Sequence, residues 1–231
     1  MDYNYYFMIN YGLPLLGIII TFVAQIFIKI SYQKYKNVPT TKKNTGYETA
    51  RQILDANGLE NVKINKVPGE LTDYYDPQRK TVNLSREIYE GDSIASVSVA
   101  AHECGHAIQD KTGYRFLKIR RSLVPFVNFS SKFGYIVVVI GLIFNVVGLA
   151  KFGLYLLLAI LLFQLVTLPV EFNASSRAGK ELKRLNILND YESGDSKTML
   201  RAAAFTYVAS LMSSLLQILR LALIVVGRDD N

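Results

Sequence analysis

Four long hydrophobic blocks dominate the pattern of this 231-residue chain. They cover residues 13–28, 133–150, 152–170 and 202–226. A helix needs roughly 20 apolar residues to cross the hydrocarbon core of a bilayer, so the first three blocks are minimal spans and the fourth is long enough to tilt. So many blocks in so short a chain argue against a water-soluble fold. The pattern therefore predicts an α-helical membrane protein with about four transmembrane helices.

The polar segment between the first two blocks has the periodicity of a small α+β domain. Residues 49–57 are helical in pattern, and Gly58 suits a left-handed helix end. Residues 62–67 and 80–85 alternate apolar and polar side chains, as half-buried strands do. The segment holds roughly one hundred residues, which is enough for one such domain but not for two.

Basic residues are concentrated next to the ends of the blocks and suggest an orientation. Half of the residues are hydrophobic and the formal net charge is +7. Five lysines follow the first block and five basic residues precede the second, whereas Lys151 stands alone between the second and third (Lys29, Lys34, Lys36, Lys42, Lys43; Arg115, Lys118, Arg120, Arg121, Lys132). The positive-inside rule then places residues 31–132 and 171–201 in the cytoplasm and both termini outside, in a multi-pass protein of the cell membrane.

The distribution of basic residues also indicates which binding partners to expect. Basic residues beside membrane ends favour contact with the anionic headgroups of the lipid bilayer, and the chain lacks the aromatic-interleaved basic patch of a nucleic-acid-binding protein, so we expect no nucleic acid partner. The first block has no basic residue before it and no small-residue cleavage site after it, so we expect a retained anchor. Cys104 is the only cysteine, which excludes an internal disulfide and fits a small buried filler better than a regulatory thiol.

The chain has two histidines, and they stand four positions apart in the sequence HECGH. On a helix, His102 and His106 lie on nearly the same face, so both imidazoles can bind one metal ion. Glu103 lies on the neighbouring flank, where a carboxylate can take a proton from water as the water attacks a carbonyl. The preceding residues 93–101 are small and mostly apolar, as in a buried helix. The pattern is typical of zinc peptidases.

Catalytic zinc usually has three protein ligands and one open position, so a third ligand is needed. Glu171 is the best candidate, because a hairpin of the second and third blocks returns the chain to the side that carries the histidines. A carboxylate at the end of a span should be paired or bound to metal. Glu181, Glu192 and Asp195 are alternatives in segments that are typical of exposed helix or loop. Asp110 lies two helical turns from His102, about 12 Å along the axis, which is too far to share an ion. We expect it to be solvated, with orientation of a ligand as the alternative.

A strand shortly before a metal-binding helix can serve a peptidase directly. The free edge of residues 80–85 would pair with an extended substrate and lay its scissile carbonyl across the metal. The alternative is a strand that only covers the core, and the sequence does not separate the two.

Four segments together resemble a known family. They are LTDYYDP at 71–77, AAHECGHA at 100–107, LPVEFNAS at 168–175 and LRAAAFTYVA at 200–209. This combination is similar to the YugP-type family of bacterial membrane zinc peptidases and, more distantly, to the gluzincin membrane peptidases of the HtpX and CAAX-protease type. The resemblance implies one Zn²⁺ per chain, bound by His102, His106 and Glu171, with Glu103 as the catalytic base.

The resemblance also suggests residues that support the site. In the HtpX-like pattern, an Asp four residues after the ligand Glu supports a ligand histidine, and Ser175 holds that position here. Its hydroxyl can still form a hydrogen bond, or Asn173 can take over the support. Tyr74 stands where the YugP-like motif is expected to have a histidine, and its phenol can donate a hydrogen bond to an oxyanion. Arg177 is a further candidate for either role.

The sequence thus predicts a zincin-like cytoplasmic catalytic domain attached to transmembrane helices. The expected parts are an anchor (1–30), a catalytic region (31–132), a membrane hairpin (133–170), a third-ligand helix with a cytoplasmic loop (171–201) and a C-terminal span (202–231). We expect a zinc-dependent endopeptidase that acts on membrane-associated proteins or peptides. The alternative is a non-catalytic, zinc-stabilised membrane scaffold or chaperone, which would have no use for Glu103 as a base.

Overall fold

The computed structural model describes residues 3–229 and is mostly helical, with one small mixed sheet. The elements in chain order are α1 (Tyr3–Phe7), a π-helical turn (Met8–Gly12), α2 (Leu13–Tyr35), α3 (Gly46–Asp55), β1 (Lys63–Val67), β2 (Tyr74–Asp76), β3 (Thr81–Ser85), α4 (Arg86–Glu90), α5 (Ile94–Lys111), α6 (Arg115–Ile143), α7 (Val147–Arg184) and α8 (Asp190–Asp229). They form two compact units. One is built from Met1–Gln25, Lys118–Leu168 and Phe205–Asn231, and the other from Ile26–Leu117 and Pro169–Ala204.

The first unit contains most of the apolar helical sequence. Four helices are long and apolar enough to cross a membrane, namely Met8–Tyr35, Arg115–Ile143, Val147–Arg184 and Asp190–Gly227. The prediction of four such helices is confirmed. Their large apolar side chains, such as Phe22, Ile136 and Tyr155, are more than half exposed, which is the arrangement expected when lipid is the solvent.

These helices extend beyond the apolar blocks that predicted them. α6 begins at Arg115, well before residue 133, and α7 continues to Arg184, well past residue 170. A helix satisfies its own backbone hydrogen bonds and so does not have to end where apolar sequence ends. Within this unit, α6 and α7 pack closely at small residues: a Cβ on Gly153 would lie 2.6 Å from the Val138 nitrogen.

The second unit contains the main hydrophobic core and the three-stranded sheet. α3 packs on α5, and Ala50, Ile53 and Leu54 of α3 are fully buried in this core. α3 begins at Gly46 rather than at residue 49, because Thr45 and Glu48 form a capping box at its start. The expected left-handed conformation of Gly58 is present, with φ of 63°.

The strand order decides between the two alternatives for residues 80–85, in favour of a strand that covers the core. β3 is the central strand: it pairs in parallel with β1 and antiparallel with β2. All five of its residues are buried. β3 therefore has no free edge, and the edges of this sheet belong to β1 and β2. Pairing between strands that are distant in sequence decides this order, and the alternation pattern does not report it.

Candidate metal centre

The HECGH motif lies in the middle of α5, in the second unit. α5 begins after Ser93, whose hydroxyl caps the helix by accepting a hydrogen bond from the Ser96 nitrogen. Gly105 lets α7 approach: a Cβ there would lie only 2.5 Å from the Ala174 carbonyl oxygen. The absence of a side chain at this position therefore brings the backbone of α7 directly against the motif.

That approach places Glu171 beside both histidines. Glu171 Oε2 lies 3.3 Å from His102 Nε2 and 3.6 Å from His106 Nε2. One donor atom from each of the three residues falls within 4.8 Å of the others, and the Glu171 side chain is almost entirely buried. Among the described residues, these three form the group of His, Cys, Asp or Glu side chains that is close enough to hold a metal.

The donor geometry fits zinc. Tetrahedral zinc with bonds of about 2.0–2.1 Å separates its nitrogen and oxygen ligands by roughly 3.3 Å, close to the two separations observed here. The imidazole rings of His102 and His106 stand nearly perpendicular, at 87°, with centroids 4.8 Å apart. Two nitrogens and one carboxylate oxygen are a ligand set that zinc enzymes use and leave a fourth position for water or substrate.

The outward nitrogens of the two rings also have partners. His106 Nδ1 lies 3.0 Å from Gln109 Oε1, and His102 Nδ1 lies 3.2 Å from Ser175 Oγ. Partners that accept a hydrogen bond from Nδ1–H fix the tautomer that leaves Nε2 free to bind a metal. These contacts on the Nδ1 side thus hold both rings with Nε2 facing Glu171.

Gln109 connects α5 to α7 through a buried network. Its side chain is fully buried, and its Nε2 donates to the Val170 carbonyl at 2.8 Å and to Asn173 Oδ1 at 3.0 Å. Arg177 Nε donates to the same Asn173 oxygen at 2.8 Å. The amide therefore supports His106 with one end and holds the helix that carries Glu171 with the other. The sequence singled out Asn173 and Arg177 but not Gln109.

Glu103 is also buried on α5, and its negative charge contributes to the pKa shifts of two neighbouring groups. Burial alone would lower the pKa of His106, but the hydrogen bond to Glu171 and the negative charges of Glu103 and Glu171 raise it. Burial raises the pKa of Asp73 to about 6, with a further contribution from the charge of Glu103, although hydrogen bonds from Ser85 oppose the shift. Asp73 precedes β2, so this end of the sheet lies within electrostatic reach of Glu103.

The remaining residues singled out by the sequence lie in varied positions. Ser175 contacts His102, whereas Tyr74 is about half exposed on β2 and its phenol makes no hydrogen bond to the metal-site residues within the described chain. Its neighbour Tyr75 instead donates to Asp110 of α5. Because side chains alternate along a strand, Tyr74 projects from the opposite face to Tyr75.

Two expectations about acidic residues are wrong. Asp110 is not solvated: it accepts hydrogen bonds from Tyr75 and Lys80, and its side chain is only 11% exposed. Glu192 is not in an exposed segment: it is buried and accepts from the backbone and hydroxyl of Thr41. Tertiary partners, which local sequence does not reveal, bury both carboxylates.

Glu181, Asp195 and Cys104 are the remaining residues that the sequence analysis considered. Glu181 pairs with Arg184 and accepts from Asn57, and Asp195 is half-buried on α8. Neither belongs to the three-residue donor group. Cys104 is fully buried, with its Sγ 3.6 Å from the Ala50 carbonyl, and burial raises the pKa of its thiol. The side chain packs in the core as a small apolar filler would.

A family with this chemistry matches nearly the whole chain. Its sequences are described as "putative neutral zinc metallopeptidase", and the match covers residues 11–226. The chain belongs to this family. The resemblance proposed from its motifs is therefore confirmed, and the family implies zinc as the metal for the donor group of His102, His106 and Glu171.

One curated relative is similar over almost its entire length. The "Putative membrane protease YugP" of Bacillus subtilis (strain 168) is 43% identical over 213 residues, which cover 92% of this chain and 95% of the relative. No solved structure matches the chain. The relative and the four apolar helices together indicate a membrane protein.

Proposed function

We propose that the chain is a membrane-anchored zinc endopeptidase that hydrolyses peptide bonds close to the cytoplasmic face of the membrane. The observation that carries this proposal is the convergence of His102, His106 and Glu171, with both Nε2 atoms aimed at one carboxylate oxygen and both Nδ1 atoms held by other partners. A purely structural zinc site would usually provide a fourth protein ligand, and the donor group within the described residues has three members.

His102, His106 and Glu171 would hold the zinc, with Glu103 as the general base of the reaction. Zinc in such a site supplies Lewis acidity, which acidifies water to a pKa of about 7 and polarises a carbonyl. Glu103 accepts the proton of the attacking water and then delivers a proton to the amine nitrogen that leaves. Its burial on α5 limits competing hydration of the carboxylate and keeps it beside the ligands.

Substrate would bind in an extended form along the edge of β2. β3 is enclosed between two strands, and of the two edge strands β2 is the one that packs on α5 through Tyr75 and Asp110. Main-chain hydrogen bonds to a strand edge recognise peptide backbone with little dependence on sequence. Such binding suits a peptidase that accepts many unfolded or membrane-associated proteins.

We further propose a multi-pass arrangement with the second unit in the cytoplasm and both termini outside. The basic residues that flank α2 and α6 on the side of the metal motif support this orientation. The helix α5 continues through Asp110 and Lys111 into a polar turn, which favours a site beside the bilayer rather than inside it.

Metal content and casein cleavage of the detergent-purified protein test the enzymatic proposal. Glu103→Gln should retain about one zinc per chain and lose cleavage, because the amide cannot take a proton. Glu171→Ala should lose zinc and therefore also cleavage. Glu181→Ala is the matched control, since Glu181 lies on the same helix outside the donor group.

Two outcomes would contradict it. If Glu171→Ala binds zinc as tightly as the parent, another residue is the third ligand. The second outcome is that the parent binds zinc but, like Glu103→Gln, cleaves neither casein nor membrane-protein substrates. The site would then serve a zinc-stabilised scaffold or chaperone instead.

Cysteine labelling tests the orientation independently of activity. The native Cys104 is buried with a raised thiol pKa, so its background reactivity should be low. A single cysteine at Lys63→Cys should react with an impermeant maleimide only in inside-out vesicles. A cysteine at Phe144→Cys, in the turn between α6 and α7, should react only from the outside. The reverse pattern would overturn the orientation.

A further inference from the structure

A cavity lies in the second unit and is separate from the residues of the candidate metal centre. It has a volume of about 650 Å³, within the range of small-molecule sites, and lies between the C-terminal part of α7 and the N-terminal part of α8. None of His102, Glu103, His106 or Glu171 is among the described residues that line it. Ser175 does line it, and the hydroxyl of Ser175 lies 3.2 Å from His102 Nδ1.

The walls of this cavity combine apolar side chains with basic ones. Phe172, Leu182, Leu200 and Ala204 provide apolar surface, and five basic residues surround it (Lys180, Lys183, Arg184, Lys197, Arg201). No Asp or Glu is among the described lining residues. The occupant that complements such walls has an anionic group and an apolar part.

Three of the five cations are not neutralised by the protein. Lys183 pairs with Asp190 and Arg184 with Glu181. Lys180, Lys197 and Arg201 form no ion pair or hydrogen bond with an acidic side chain in the part of the chain that the structure describes, and all three are exposed. Three cations around one cavity without counter-charges favour an anion from outside the protein.

Ser193 and Gly179 are neutral residues of the cavity lining. The Ser193 hydroxyl is buried and has no hydrogen-bond partner among the described residues, although buried hydroxyls are normally satisfied. A Cβ added to Gly179 would meet no atom within 4 Å. Open space therefore lies beside Gly179 on α7, whereas the unsatisfied Ser193 hydroxyl belongs to α8 and is itself enclosed by protein atoms.

The sequence position of the cavity favours lipid as the source of the anion. Phe172 lies two residues after the apolar block that ends at residue 170, and Ala204 lies at the start of the block that begins at residue 202. Helical rise places the residues from Phe172 to Arg184 within about 20 Å of the end of that apolar block. Basic residues at this depth meet the phosphates of anionic lipids, and apolar walls accept an acyl chain.

We propose that this cavity binds one anionic phospholipid, with its phosphate at Lys180, Lys197 and Arg201 and an acyl chain against Phe172 and Leu200. The proposal rests on the membrane placement given above but not on peptidase activity. Its occupant lies one side chain from His102, because Ser175 contacts both the cavity and the ligand histidine.

Native mass spectrometry of the full-length protein in detergent tests this site with dioleoylphosphatidylglycerol as the probe. The parent should form a one-lipid adduct more readily than with dioleoylphosphatidylcholine. Replacing Lys180, Lys197 and Arg201 with glutamine should weaken the adduct by about fivefold per cation, or roughly a hundredfold in total. Replacing Lys42, Lys43 and Lys63 with glutamine removes the same charge from exposed positions outside the cavity and should change little.

A second pair of variants tests the apolar part without changing charge. Gly179→Leu should fill open space in the cavity and reduce the adduct at least tenfold. Gly194→Leu is the matched control, since a Cβ there also meets nothing within 4 Å but Gly194 does not line the cavity. Zinc content and thermal unfolding of each variant confirm that it is folded, so a failed lipid site is distinguishable from a failed metal site.

Three results would overturn the proposal. Equal loss in the two glutamine triples would mean general adsorption of anionic lipid. Full competition by inorganic phosphate would mean a site for a soluble anion. Equal adducts with the phosphatidylcholine, or an unchanged adduct in Gly179→Leu, would mean that lipid binds elsewhere on the apolar helices.

Discussion

The two histidines of the candidate metal centre are supported in different ways. Behind His106 stands Gln109, a fully buried amide that also holds Val170 and Asn173 of α7. Behind His102 stands the hydroxyl of Ser175, a partly buried residue on the wall of a cavity. His106 is thus fixed as part of the packing between two helices, whereas His102 is held on that side by one hydroxyl on a cavity wall.

The largest expected effect comes from a substitution that should disturb both histidines at once. In Gly105→Ala, the new methyl group would meet the Ala174 carbonyl and push α7 away from α5, so both histidines would lose Glu171 together. We expect unfolding to become easier by about 1–3 kcal/mol, and zinc affinity to fall further than in any of the variants below. Thermal unfolding and chelator competition measure the two effects.

The matched control for that change is Gly179→Ala, where the added Cβ meets open space on α7. It should leave zinc affinity unchanged and stabilise the helix by up to about 1 kcal/mol. Normal zinc binding in Gly105→Ala would show that the close contact between the helices does not position Glu171.

The next largest effect is expected from removing the hydrogen-bond partner of His106. Gln109→Leu should lower zinc affinity by about 10–100-fold, because His106 loses the partner that sets its tautomer. It should also destabilise the fold by about 1–3 kcal/mol, since the Val170 carbonyl and Asn173 lose a buried donor. Gln109→Glu separates these roles: its carboxylate still accepts from His106, so most zinc affinity should remain while the stability is lost. Equal zinc affinity in both variants would contradict this division.

A smaller effect belongs to the His102 side. Ser175→Ala should lower zinc affinity by about tenfold or less, because one hydroxyl contact is lost. The unfolding temperature should change little. Ser176→Ala, on the neighbouring exposed residue, is the control. A loss as large as that of Gln109→Leu would mean that the two histidines are supported equally.

The smallest expected effect comes from the charge of Asp73, which contacts neither histidine and so should alter stability without altering their support. The folded-state pKa of Asp73 is raised to about 6, so the folded protein binds more protons than the unfolded chain between about pH 4 and 6. The resulting stabilisation is full below about pH 4 and is lost as the pH rises through 6. Asp73→Asn should therefore be more stable than the parent at pH 7, by about 1 kcal/mol after allowance for solvent screening, and equally stable near pH 4.

Zinc affinity should be unchanged in Asp73→Asn, because neither Nδ1 partner is touched. Thermal unfolding from pH 4 to pH 8 measures the stability difference. A parent whose stability rises between pH 4 and 6 while that of the variant stays flat would contradict the sign of this shift.

The sequence predicts much of the donor set, because its information is local or follows from membrane crossing. The spacing of His102 and His106 needs only one helix, and Glu171 follows from a hairpin that returns the chain to the same side. The structure then brings the three donor atoms within 4.8 Å. The apolar blocks likewise predict four long helices, since length and composition are enough to identify them.

What the sequence does not predict depends on contacts between distant segments. Gln109 follows His106 by one helical turn, which is a signal for contact between the two, but its other partners lie on α7. The central place of β3 depends on β2, which no alternation pattern reveals. The burial of Asp110 and Glu192 depends in the same way on Tyr75, Lys80 and Thr41.

The chain order of the ligands has a consequence for the synthesis of the protein. His102 and His106 leave the ribosome on α5, whereas Glu171 follows only after all of α6 and much of α7. An incomplete chain therefore carries two of the three donor residues and cannot assemble the candidate metal centre. Under the proposed function, proteolytic activity begins only after the hairpin has been made, so an unfinished chain in the cytosol is kept from cleaving its neighbours by the order of translation itself.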